Sequence, residues 1–335
     1  MKKILVFIAL GLLVFSCSQD SSKEKVFTGE ALGTTYQIKY FSEKDFNFKR
    51  SLDSIIEEIN SSMSTYREDS DISKINRGDS TIAVDQNFTN VFQASKKVYQ
   101  ESKGYFDPSV GKLVNAYGFG PDKPLKQMDS LQLDSLLILI GLDKVSLSKK
   151  GTIQKENSGI YLDFNAIAKG YNIDVIAEFL EAEEVEDYLI ELGGELRAHG
   201  KNQDSGKNWL VGIDDPFQQD SERSVARVLE LKNRSLATSG NYRKFREDTA
   251  TGQKYVHTIN PLTGKAEKSN LLSASVLAKN CMLADAYATA FMAMGFEKSL
   301  EIQKNLTDVE VFLIYTEDGV TKTYSSTGFK ASFVE

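Results

Sequence analysis

Between Val26 and Phe41 apolar and polar positions alternate, and beyond Gly33 the residues Thr34, Tyr36, Ile38 and Tyr40 share one face. A period of two puts successive side chains on opposite sides of an extended chain, so this stretch predicts two strands turning at the glycine. The period then lengthens. Phe48, Leu52, Ile55 and Ile59 recur at helical spacing, and a second helix is predicted from Phe88 to Ser102, with Val91, Ala94, Ser95 and Val98 inward and Gly104 as its stop. Asp107-Pro108 forces a turn beyond it.

After Lys144 the pattern favours short strands, at Val145 to Leu147, Thr152 to Gln154 and Ile160 to Phe164. A helix carrying Ile173, Ile176, Ala177 and Leu180 follows, then strands at Tyr188 to Leu192, Glu195 to His199, Trp209 to Ile213, Val225 to Leu231, Val256 to Ile259 and Leu272 to Ala278. Met282 to Ile302 reads as one long helix, and Val309 to Tyr315 with Val320 to Tyr324 as a hairpin around Glu317-Asp318-Gly319. Strands that follow one another directly argue for an α+β architecture over a regular βαβ alternation.

The N-terminus breaks this pattern. Lys2 and Lys3 precede an apolar run from Ile4 to Phe15, shorter than the roughly 20 residues that span a bilayer, which predicts a signal peptide over 1–16. Leu13-Val14-Phe15-Ser16-Cys17 resembles the lipobox of bacterial lipoproteins, with Phe15 where a small residue is usual, and implies lipidation of Cys17. Residues 17–27 are then expected to be a polar tether and 28–335 one folded domain.

Composition narrows the chemistry. Forty Lys and Arg against 47 Asp and Glu give a net charge of −7, which disfavours broad nucleic-acid binding. Two His and two Cys exclude a metal site of three imidazoles or four thiolates, so a divalent metal must lean on oxygen ligands. Cys281, at the start of an apolar helix, reads as a buried thiol.

Three segments could carry a reaction. Asp285 and Thr289 stand at i and i+4 among alanines, a carboxylate and a hydroxyl on one helix face; the spacing fits a buried Asp satisfied by Thr or a neighbouring strand, and it also suits a hard cation. Asp163 to Tyr171 breaks from a strand into a helix through small residues, leaving backbone groups free for an anion or a cation. His257 precedes the Asn260-Pro261-Leu262-Thr263-Gly264 turn, where an imidazole could carry a proton or be structural. No Walker loop, G-x-G-x-x-G or G-x-S-x-G occurs, and Gly193-Gly194 reads as a tight turn.

Taken in order, Leu32 to Tyr36, Met63 to Arg67 with Asp69 to Ser73, Gly104 to Gly111, Asn115 to Pro121, Asp163 to Tyr171, Glu191 to Glu195, Ala237 to Tyr242, the His257 turn and Asp285 to Thr289 resemble the ApbE family of flavin transferases. The resemblance implies a bilobed α+β fold with mixed, largely antiparallel sheets around an FAD cleft. It implies Mg²⁺ held by Ala168 through its carbonyl, Asp285 and Thr289. Leu32, Tyr66, Tyr105, Phe106, Asp107, Asn165, Tyr171 and Ile259 would line the flavin nucleotide, and His257 would serve transfer.

The implied reaction moves FMN from FAD onto a Thr or Ser hydroxyl of a target protein and releases AMP. The expected acceptors are exported domains of electron-transport proteins, met by an enzyme anchored in lipid on the outer side of the cytoplasmic membrane or in the outer membrane facing the periplasm. Alternatives on the same cleft are an FAD pyrophosphatase and a flavin-binding lipoprotein without chemistry. Two positions depart from the family. Asn260 replaces a frequent Asp, which leaves it no metal or base role, and Asn165 replaces a more usual Gly or Ser.

Overall fold

Residues 23–125, 128–217, 224–240, 245–247, 254–256, 258–266 and 269–334 are described in the computed structural model. The expected signal peptide, Cys17, Asn241, Tyr242 and His257 lie outside them.

The alternating N-terminal stretch forms β1 (Lys23–Ala31) and β2 (Thr34–Ser42), paired antiparallel with Lys23 opposite Ser42. Residues 23–27, expected in the tether, are therefore strand. Backbone pairing holds them, and the Phe27 ring joins Tyr40 and Phe48 at 5.9 and 4.8 Å, contacts that a polar local sequence does not announce. Helices α1 (Phe48–Met63), α2 (Asp71–Asn76) and α3 (Gln86–Glu101) follow. Asn47, Ser70 and Asp85 cap them by accepting N–H bonds three residues on. α3 ends where Lys103 and Gly104 turn to positive φ.

Next come α4 (Gly111–Tyr117), α5 (Ser130–Leu137), β3 (Val145–Leu147), β4 (Ile153–Lys155), α6 (Ala168–Ala182), β5 (Asp187–Leu192) and β6 (Glu195–His199). β7 (Trp209–Asp214), β8 (Val225–Leu231), β9 (Arg234–Gly240), β10 (Phe245–Glu247), β11 (Lys254–Val256) and β12 (Leu271–Ala278) lead to α7 (Cys281–Met294) and α8 (Phe296–Gln303). β13 (Glu310–Glu317), β14 (Val320–Ser325) and α9 (Thr327–Lys330) complete the order.

An eight-stranded sheet runs β1-β2-β5-β6-β9-β12-β13-β14 with every neighbour antiparallel, as the α+β, largely antiparallel expectation has it. One face, with Ile38, Ile190, Ala237, Ala274 and Val311, takes α1, α3, α6 and α7. The other face, with Phe41, Leu236, Leu277 and Phe312, is covered by Trp209, Val211 and Leu229 of the β7–β8 ribbon and by Phe329 of α9. Both faces are buried, so Val311-Phe312-Leu313-Ile314 is an unbroken apolar run. A third small cluster joins Leu113 and Tyr117 of α4, Leu133 and Leu137 of α5, and Ile259.

Four expectations change. Ile160 to Phe164 is not a strand, because the Asn76 side chain satisfies both the Leu162 N–H and C=O at 2.8 Å in place of a ladder. The strand at Val256 stops there, and Thr258 and Ile259 lead into a turn closed by Asn260 N–H to Lys265 O. The long C-terminal helix breaks at Gly295, whose φ of 78° no helix allows, into α7 and α8. β9 went unpredicted: Ala237, Thr238 and Ser239 show no apolar alternation, yet their small side chains let α7 lie directly on the strand.

Candidate active site

Local hydrogen bonds fix where α6 begins. Asp163 Oδ1 accepts the Asn165 N–H at 2.8 Å, and Ile167 and Ala168 donate to Phe164 O at 3.0 and 2.8 Å. No side chain caps the helix, so its first turn offers backbone N–H groups to what lies opposite, and that is α7. Gly170 makes the approach possible. A Cβ there would sit 2.3 Å from Cys281 O, so only a glycine lets the two backbones meet. The Gly170 N–H then donates to Asp285 Oδ2 at 3.1 Å.

One turn along α7, Thr289 is partly exposed, and its hydroxyl lies 3.4 Å from Ser239 Oγ on β9. The structure thus puts Asp285 and Thr289 of α7 one turn apart, Thr289 against β9 and Asp285 against the first turn of α6, where Ala168 stands two residues before Gly170. Asp285 is 3% exposed and takes no other hydrogen bond among the described residues.

Two groups with no role in the sequence reading complete this cluster. Lys169 donates to Glu195 Oε1, while Glu195 Oε2 is buried without a partner. Burial pushes the Asp285 and Glu195 carboxyls above their ordinary values against the pull of Lys169. Burial also acts against the Lys169 ammonium, but the attraction of Asp285 and then Glu195 prevails and raises it. When both carboxyls are ionised, one ammonium between them leaves one uncompensated negative charge. Such a charge, with a carboxylate oxygen, a hydroxyl and a nearby backbone carbonyl, suits a hard divalent cation. The cluster contains no trio of His, Cys, Asp or Glu ligands, and none occurs among the described residues.

Asp174 holds the helices in this relation. Its carboxylate accepts the Cys281 and Met282 N–H groups at 2.9 and 2.8 Å, capping α7 from α6, and receives Arg197 of β6 at 2.7 Å. Cys281 is fully buried and its thiol is pushed well up by burial, so it is no nucleophile. Lys169, Asp174, Glu195 and Arg197 stand in or beside quoted motifs; a charged residue on an otherwise inward-facing position was the available signal.

The residues expected to line a nucleotide reach this cluster by steps. Asp163 N–H donates to Pro108 O at 2.8 Å, joining the α6 entrance to the Tyr105-Phe106-Asp107 segment. Tyr66, 62% exposed, donates to Phe119 O at 3.3 Å; partial desolvation and then the Asp163 carboxylate raise its pKa. Such a phenol offers a flat face to an aromatic ligand. Tyr105 meets Lys298 of α8, and Phe106 is core. Asp107 uses Oδ1 for the Ser109 N–H and hydroxyl at 2.8 and 2.6 Å and Oδ2 for the Leu142 N–H at 3.3 Å, so its carboxylate builds the loop. Asn165 is exposed.

Leu32 takes φ 50° in the β1–β2 turn, tied by Gly193 N–H to Thr35 O to the glycine turn from which Glu195 emerges. Ile259 belongs to the third apolar cluster. Tyr171 does not converge. Its hydroxyl donates to Asn87 and accepts from Asn90 of α3, beside a separate hollow of about 390 Å³ lined by Asp174 and Arg197. Asn260 Oδ1 accepts the Leu262 N–H at 3.0 Å, a turn role that an Asp would also fill. His199, the described histidine, sits 2.6 Å from Glu186 O and stacks on Tyr188 at 5.6 Å, so it serves the sheet.

Known proteins share this sequence pattern and fold. The profile of the ApbE family matches residues 32–313. The FAD:protein FMN transferase of Haemophilus influenzae is 34% identical over 98% of this chain and 98% of its own, and that of Vibrio cholerae matches at the same identity and coverage. Among solved structures, the flavin transferase ApbE of Vibrio cholerae superposes with a TM-score of 0.83 at 32% identity, covering 93% of this chain and 99% of that one. The apo flavinyl transferase ApbE of Pseudomonas stutzeri gives 0.82 at 30% identity over 93% and 98%. On sequence and fold alike, the chain belongs to the ApbE family.

Proposed function

We propose that this chain is an FAD:protein FMN transferase that moves FMN from FAD onto a Thr or Ser hydroxyl of a target protein, with Mg²⁺ held by the Ala168 carbonyl, Asp285 and Thr289. What supports the metal reading is that Asp285, with Thr289 one turn along, meets the first turn of α6 beside Lys169 and Glu195, a cluster with one negative charge in excess when both carboxyls are ionised. A cation bound there would neutralise charge growing on the pyrophosphate oxygens. Asp163 and Asn165 shape the entrance, Tyr66 offers its ring to the flavin or adenine, and Gly170 and Asp174 keep α6 against α7 so that Asp285 does not drift.

The acceptor oxygen bonds to the FMN phosphorus, the bond from that phosphorus to the bridging oxygen breaks, and AMP leaves with that oxygen. The hydroxyl proton goes to His257, a role that rests on sequence because the residue lies outside the described ones. With His199 engaged in the sheet, His257 is the chain's remaining imidazole. A lipid on Cys17 would hold the enzyme beside exported acceptor domains and raise their effective concentration.

The test incubates residues 18–335 with FAD, Mg²⁺ and a candidate acceptor domain and reads the acceptor's mass. A gain of one FMN residue, lost with EDTA and in His257→Ala, is expected. Free FMN and AMP with an unmodified acceptor would instead identify an FAD pyrophosphatase.

A further inference from the structure

The Asp285 site contains a cation of its own that the metal reading leaves idle. Lys169 stands in the first turn of α6, one residue from the Gly170 N–H that holds Asp285. Its side chain keeps 28% of its accessible surface, while that of its partner Glu195 keeps 6%. A lysine recruited only to neutralise Glu195 has no need to stay open to solvent. Glu195 is anchored as the first residue of β6, directly after the Gly193-Gly194 turn, and its Oε2 is buried with no partner. The carboxylate therefore holds the ammonium on one side, and the partly exposed Lys169 side chain stands in the uncapped first turn of α6.

We propose that Lys169 is a second anion-binding group for the pyrophosphate of FAD, next to the cation at Asp285, and that Glu195 is the residue that positions it. This rests on the flavin-transfer reading. The charges explain why both groups are present. With both carboxyls ionised, Lys169, Glu195 and Asp285 sum to −1, which attracts a divalent cation and repels a dianionic pyrophosphate. With the cation bound the sum is +1, and the Lys169 ammonium can then meet a phosphate oxygen. Glu195 thus favours the cation and Lys169 favours the nucleotide. Each residue acts on the two ligands with opposite sign, which simple damage to the fold cannot imitate.

Titration calorimetry on residues 18–335 provides the test, with Mg²⁺ alone and with FAD at saturating Mg²⁺. Lys169→Met is expected to bind FAD about 10 to 100 times more weakly and Mg²⁺ more tightly than wild type, the FAD loss being that of a charge-assisted phosphate contact. Glu195→Gln, whose amide oxygen still accepts from Lys169 while the charge is gone, is expected to bind Mg²⁺ more weakly and FAD no less tightly, and Lys169→Arg to recover most of the FAD affinity. Lys169→Met with wild-type FAD affinity would overturn the proposal, as would equal weakening of both ligands in both variants. A wild type that binds no FAD would overturn the flavin-transfer reading and this inference together.

Discussion

At the residue scale, burial decides what an ionisable group can do. Asp107 was expected to touch the nucleotide, yet both its oxygens are occupied within the loop, and burial pushes its pKa to about 6 despite the Ser109 and Leu142 bonds that favour the charged form. The folded carboxyl thus holds its proton more tightly than the unfolded one. Its contribution to stability is complete below about pH 4 and is lost as the pH rises through about 6. Urea unfolding from pH 4 to 7 should therefore show wild type losing about 3 kcal/mol relative to Asp107→Asn across that interval. Parallel profiles for the two proteins would show that Asp107 is not the buried acid described here.

At the element scale, the site depends on how closely two helices approach. A glycine inside an exposed helix costs about 1 kcal/mol against alanine, so Gly170→Ala would ordinarily stabilise α6. Here the added carbon would lie 2.3 Å from the Cys281 carbonyl oxygen, backbone that cannot step aside, and the clash outweighs the propensity gain. Gly170→Ala should lower stability by about 1–3 kcal/mol. By shifting Asp285 it should also reduce transfer roughly 100-fold. Denaturation and acceptor-mass assays together check this, and a variant as stable and active as wild type would remove the close approach from the account. β9 teaches the same lesson from the sheet. Its run of Ala237, Thr238 and Ser239 lacks the alternation that marks a strand, because what those residues supply is room for α7.

At the scale of the whole molecule, the antiparallel sheet separates the two apolar clusters, and the helices on one face bring residues 168, 195, 239, 285 and 289 together. No helix among the described residues is long and apolar enough to cross a membrane. The proposed attachment rests on Cys17: the protein expressed with its leader should carry the added mass of covalent lipid at that residue, Cys17→Ala should lack it, and residues 18–335 should transfer FMN at the wild-type rate. An unlipidated Cys17 in the wild type would sink the lipid anchor. The amino-acid sequence by itself determined the strand pairs, the α1 and α3 helices and the order of the site motifs, because periodicity and turn residues act over a few neighbours and are written locally. It also marked Asp285 and Thr289 as partners, since one helical turn joins them. Only the tertiary structure decided that Asp107 serves its loop, that Tyr171 turns to α3, and that Lys169, Glu195 and Asp174 belong at the site. Those outcomes depend on which distant element lies opposite and on how much water is left between them, and neither quantity exists until the chain has folded.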